Sequence, residues 1–168
     1  MSHICRRHAL ALIGLGGVGL TLGGCFEPET GPVEIAWDRD SCELCKMIIS
    51  DQRFAAQVRG GPKHKAYKFD DIGCAVNWLN EKPWAGDPKT EIWVAERTSK
   101  RAAMTWLNAR EARYVPDQIT PMNYGFGAVK PDAPEAEGRS IGFERMTDII
   151  LKNAPNHICR PSRPKASG

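Results

Sequence analysis

The sequence carries no GxSxG, Walker A, HExxH or dinucleotide-binding pattern. It therefore offers none of the local frames on which serine-hydrolase, nucleotide or zinc-protease chemistry is commonly built. It has one CxxC and no second pair, and its four histidines are scattered. A closed four-ligand zinc site usually draws on two such pairs, or on one pair followed by two nearby histidines. No basic stripe interleaved with aromatics is present, so nucleic-acid binding has no support. There is no tandem repeat and no low-complexity tract. The apolar run from Ala9 to about Leu22 is shorter than a membrane-spanning helix requires.

What is there begins at the amino end, which reads MSHICRRHALALIGLGGVGLTLGGC. A basic start at Arg6 and Arg7, an apolar run and a small-residue end form an export signal. Leu22-Gly23-Gly24-Cys25 matches the lipobox of bacterial lipoproteins, in which Cys25 becomes the lipidated first residue. Residues 1–24 are thus expected to be removed as a signal peptide. That takes away two arginines and no acid, and the net charge falls from +3 to +1. The expected location is the periplasm, with a lipid anchor on the inner or outer membrane.

In that oxidising setting Cys42, Cys45, Cys74 and Cys159 remain, and disulfides are the ordinary expectation for them. Four thiols allow three pairings, and spacing does not choose.

Along the chain, residues 25–34 read as a tether rich in proline, glycine and acid, and residues 159–168 as a flexible tail. Arg53–Arg59 and Lys65–Phe69 have strand character about a Gly60-Gly61-Pro62 turn. Asp71 is placed to cap a helix whose apolar face is Ile72, Ala75, Val76 and Leu79, and Pro83 stops it. Glu91–Glu96 alternates as a strand. Residues 35–98 thus form a β-β-α-β unit. Residues 99–158 are expected to form a second, similar unit, with strands at Ala102–Leu107, Ala112–Val115 and Ala128-Val129 and a helix over Phe143–Leu151. The fold class is α+β.

Chemistry concentrates in CELCKM, residues 42–47. An extended backbone over Cys45–Ile49 would project Cys45 and Met47 to one side. Thiolate and thioether together suit a soft monovalent ion such as Cu(I). Met122 lies in TPMNYGFG, a loop without apolar periodicity, and offers a second thioether. Met104 and Met146 fall on element-like periodicities and are assigned to the core. His64 follows the glycine turn and offers an imidazole. Two other readings stand beside the metal: a Cys42–Cys45 structural disulfide, and a thiol oxidoreductase, although the run after Cys45 is not a convincing helix start. Asp70-Asp71 suggests paired carboxylates, but capping accounts for Asp71 and no partner base is evident. The chain is not expected to be an enzyme.

The order of motifs, a lipobox cysteine at 25, CxxCxM at 42–47, FDDIGC at 69–74 and TPM before a Gly-aromatic-Gly loop, resembles the NosL family. These are nitrous-oxide-reductase accessory lipoproteins that act as copper chaperones. The resemblance covers Cys25 to about Val129. It implies two related small ββαβ modules, similar to the amino-terminal part of organomercurial lyase. It implies Cu(I) as cargo, with Cys45, Met47 and Met122 as favoured ligands and Cys42 and His64 as weaker ones. The partners it implies are nitrous oxide reductase, whose copper–sulfide centre is assembled, and a membrane-bound ABC-type complex of the same denitrification system. A homodimer around a shared metal stays open. The sequence departs from the family at Asn123, where glycine often follows the TPM methionine.

Overall fold

The computed structural model describes residues 29–153. The expected signal peptide, Cys25, Cys159 and the expected tail lie outside the described residues.

Four antiparallel strands form the main sheet in the order β2-β1-β3-β4, with β1 at Ala56–Gly60, β2 at Lys65–Phe69, β3 at Glu91–Ala95 and β4 at Trp106–Asn108. β1 sits between two strands and is buried along its whole length. Its alternation is Ala56 and Val58 on one side, Gln57 and Arg59 on the other. The polar side is satisfied by residues 31–33. Gln57 accepts from the backbone N–H of Val33 and donates to its carbonyl, both at 2.8 Å, and Arg59 Nε donates to the carbonyl of Gly31 at 2.9 Å. Part of the expected tether is thus fastened along the central strand.

The first strand starts at Ala56 and not at Arg53, because Asp51 takes the residues before it into a turn. Its carboxylate accepts from the Arg53 N–H at 3.0 Å. Helix α1 (Ile72–Asn80) starts where the cap was expected. Asp71 has extended backbone, and its side chain accepts from the Gly73 N–H at 3.0 Å. Seven of its nine residues are buried, because it lies between the sheet and a second helix, α2 (Phe143–Lys152), against which it packs.

The second half is less regular. β4 joins the first sheet through β3, crossing the boundary expected near residue 98. It is short because Lys100–Ala103 closes a turn and Ser99 Oγ bonds both the N–H and the carbonyl of Thr105, which takes the expected residues 102–105 out of the strand. β5 (Arg113–Val115) and β6 (Gly127–Val129) pair antiparallel in a small second sheet. A parallel bridge from Ala128 to Glu96 joins it to the end of β3. The order after β3 is therefore β-β-β-α. The mixed α and β content and the antiparallel main sheet are those of an α+β fold. Met146 lies wholly buried in the core, and Met104 packs against it half-buried.

The loop between β5 and β6 is pressed onto the start of α1. A methyl group added at Gly73 would lie 2.0 Å from the ring of Tyr124. Gly73→Ala is therefore expected to push Tyr124 off the helix and cost about 1–3 kcal/mol. Urea unfolding should show a lower midpoint with an unchanged slope.

Candidate metal centre

CELCKM is a tight knuckle, so the backbone is not extended from Cys45 as a strand over Cys45–Ile49 would be. Ser41 and Ile48 form an antiparallel bridge, the Cys42 N–H donates to the Met47 carbonyl at 2.8 Å, and the Lys46 N–H donates to the Cys42 carbonyl at 3.0 Å. Lys46 takes a positive φ of 65° to complete the reversal. The two-residue alternation that would have put Cys45 and Met47 on one side therefore does not hold. The knuckle is held to the edge of β2 by the Glu43 N–H, which donates to the Lys68 carbonyl at 2.8 Å, and by Lys68 Nζ on Asp40 at 2.6 Å.

That docking places two cysteines over the carboxyl end of β2 and the first turn of α1. Ligand atoms of Cys42, Cys45, Asp70 and Cys74 all lie within 4.8 Å of one another. Cys42, Asp70 and Cys74 are buried, and Cys45 is half-buried. Cys45 Sγ approaches both oxygens of Asp70, at 3.5 and 3.6 Å. None of these three cysteines is in a disulfide.

The thiols are electrostatically unequal. A hydrogen bond from Cys74 holds Cys42 below the usual thiol range against the opposing effect of burial, with backbone N–H groups of Cys45 and Asp70 adding to it. Burial pushes the Cys45 thiol well up, and the neighbouring Cys42 and Asp70 push the same way. Cys42 is thus more readily ionised than Cys45, which stands nearer to solvent and holds its proton more tightly. Thiol–disulfide exchange asks for the reverse, a low-pKa thiol within reach of substrate.

Asp71 faces the other way. Its carboxylate accepts from Thr120 Oγ1 at 2.5 Å and from the Met122 N–H at 3.3 Å. The TPM loop is thereby tied to the residue next to Asp70, and Met122 is buried. Asn123 adopts a φ of 58°, a conformation glycine takes readily and asparagine tolerates, so the departure from glycine leaves the turn intact. Met47, two residues past Cys45, is 50% exposed. His64 stands elsewhere. It lies beyond the opposite end of β2 from Asp70, about 20 Å along the strand, with Nε2 3.1 Å from Glu91 Oε1.

Sequence reasoning missed Asp70 and Cys74. The signal was present in FDDIGC, where a second acid precedes the cap and a cysteine occupies the first helical turn, but neither adjoins CELCKM in sequence.

The NosL family model matches residues 32–129. The chain belongs to the NosL family. The matched span runs from the segment clamped on β1 to the end of β6, and contains CELCKM, FDDIGC and TPMNYGFG. Comparison with curated proteins returned no match. NosL proteins are copper-related accessory proteins, and here the three motifs meet at the two adjacent aspartates.

Burial raises the Asp71 carboxyl to about 6, against the lowering effect of its hydrogen bonds to Thr120, Gly73 and Met122. Its folded pKa lies above the unfolded value near 3.8. The folded state therefore binds this proton more tightly, and the stability contribution of Asp71 grows as pH falls from about 6 towards 4. Comparing urea midpoints of wild type and Asp71→Asn across that range should isolate the contribution, with the wild-type midpoint gaining on the variant as pH falls.

Proposed function

We propose that this NosL protein is a periplasmic Cu(I) carrier, anchored through acylated Cys25, that passes copper towards assembly of the copper–sulfide centre of nitrous oxide reductase. The expected acceptor is a membrane-bound ABC-type complex of that system. The observation that carries the copper reading is the convergence of three thiols and a carboxylate from the knuckle, the end of β2 and the start of α1. Thiolate-rich donors select Cu(I) over hard cations. Ionised thiols beside the Asp70 side chain would be offset there by a bound cation.

In this reading Cys42 and Cys45 supply thiolates and Cys74 stands as the third sulfur. Met47, half-exposed, is the first donor an arriving or departing ion meets. Met122 belongs to the same neighbourhood through Asp71. A thioether needs no deprotonation, so Met47 can hold copper while Cys45 regains its proton. Exchange then proceeds one ligand at a time, which a fully enclosed thiolate cage would not allow.

The four-donor cluster also fits a tetrahedral Zn(II) ion. Anaerobic titration of the reduced protein against a chromophoric Cu(I) chelator, with Zn(II) in a parallel series, separates the two. The expected result is one Cu(I) per chain and retention of copper against excess zinc. Cys42→Ala and Cys45→Ala should each weaken Cu(I) binding by more than about 100-fold, and Asp70→Asn by about 10–100-fold. His64→Ala should leave it unchanged. Zinc displacing copper at equal concentration would reject the Cu(I) assignment.

Loading requires the raised Cys45 thiol to ionise, so affinity should depend on pH. Apparent Cu(I) affinity is expected to rise about tenfold per pH unit for each proton displaced, through the neutral range. A flat profile would mean that Cys45 is not a ligand.

A further inference from the structure

The end of the main sheet opposite the thiols carries a different chemistry. The β1–β2 turn and the segment that lies against it form a groove of about 570 Å³ lined by Arg59, Lys63, His64 and Lys65. Lys63 and Lys65 are exposed, whereas Arg59 is buried and fixed by the carbonyls of Gly31 and His64. The acidic groups present are Glu91 and Glu29. Glu91 is engaged by the Gly31 N–H, Trp93 and His64. Glu29 is exposed and sets its carboxylate 3.5 Å from Arg59 Nη1, which shows that an anion fits the groove.

Beside the basic turn lies aromatic surface. The ring of Trp84 sits against Gly60 and Gly61, so closely that a methyl group at Gly60 would come within 2.7 Å of it. Trp84 stacks on Tyr67 at 6.2 Å, and Lys65 Nζ lies 5.3 Å above the Tyr67 ring. Lysine and half-buried tryptophan side by side make a surface that is wet at one edge and apolar at the other, as bilayer interfaces favour.

Chain connectivity fixes where a bilayer would be. Glu29 is four residues from Cys25, and four residues of extended chain span at most about 14 Å. An acyl anchor at Cys25 therefore keeps this turn near the headgroups, at a distance comparable with the Debye length of about 8–10 Å.

We propose that the Gly60–Lys65 turn, with Lys63 and Lys65 as its exposed cations and Trp84 beside it, docks on anionic phospholipid headgroups and turns the thiol cluster away from the membrane. The proposal rests on the anchor at Cys25 and adds to it a preferred lipid and an orientation. With β2 perpendicular to the bilayer, Cys45 and Met47 face the aqueous side, where an acceptor domain can reach them.

The test is amine acylation of the full lipidated chain on vesicles, read lysine by lysine by mass spectrometry. Lys46, exposed beside the thiols, is the internal reference. On vesicles containing phosphatidylglycerol, Lys63 and Lys65 should be shielded severalfold relative to Lys46, and high salt should abolish the shielding. On pure phosphatidylcholine the chain should stay bound with both lysines reactive. Lys63→Gln with Lys65→Gln, both at exposed sites, should stay bound and leave the aqueous tumbling of the domain unrestrained by phosphatidylglycerol, as read by tryptophan anisotropy. Equal labelling on the two lipids, or shielding of Lys46 in place of the turn, would overturn the proposal. Shielding by inorganic phosphate alone would also overturn it, by moving the site to a small soluble anion. A chain that leaves phosphatidylcholine vesicles but is shielded on phosphatidylglycerol would reject the anchor and uphold the headgroup contact.

Discussion

Two consecutive carboxylates shut away from water must each find partners, and the molecule is organised around that constraint at Asp70 and Asp71. One meets the Cys45 thiol; the other caps α1 and holds Thr120 and Met122. Both are buried. A buried carboxylate is tolerated only when its oxygens are satisfied, so each demands its partners. The knuckle, the helix start and the distant TPM loop are thereby held to one dipeptide.

The consequence for chemistry is a graded site. The buried Cys42 sulfur is more readily ionised than the half-buried Cys45, which holds its proton, and the Met47 thioether is half-exposed. In the proposed carrier role, a metal arriving from outside would meet the more strongly protonated donor before the more readily ionised one. The helix start adds backbone dipoles that favour negative sulfur nearby. Such a gradient suits uptake and release better than a set of equivalent thiolates would.

The sequence made the local elements legible and the assembly less so. Asp71 as cap, the β-β-α-β order of the first half and the amphipathic Phe143–Lys152 helix follow from short-range patterning, and the structure has them. The knuckle was misread because Ile48 and Ile49 favour extended backbone, while Lys46 alone reverses the chain at positive φ, which lysine rarely signals. Asp70 and Cys74 went unseen because their role depends on the knuckle folding back over β2, a contact between residues some 25 to 30 positions apart. His64 looked available because nothing nearby in sequence claims it, and Glu91 does so only across the sheet. The placement of β4 in the first sheet likewise depends on pairing with β3 and not on its own residues.

The clamp between residues 31–33 and β1 has a mechanical side. Any pull transmitted along the chain from its amino end reaches the body first at Gly31 and Val33, where hydrogen bonds to Arg59, Gln57 and Glu91 lie side by side and share the load in shear. The force then passes into a strand flanked on both edges, the stiffest part of the sheet. A load on the amino end would thus be taken up by the central strand before it could reach the sulfur atoms.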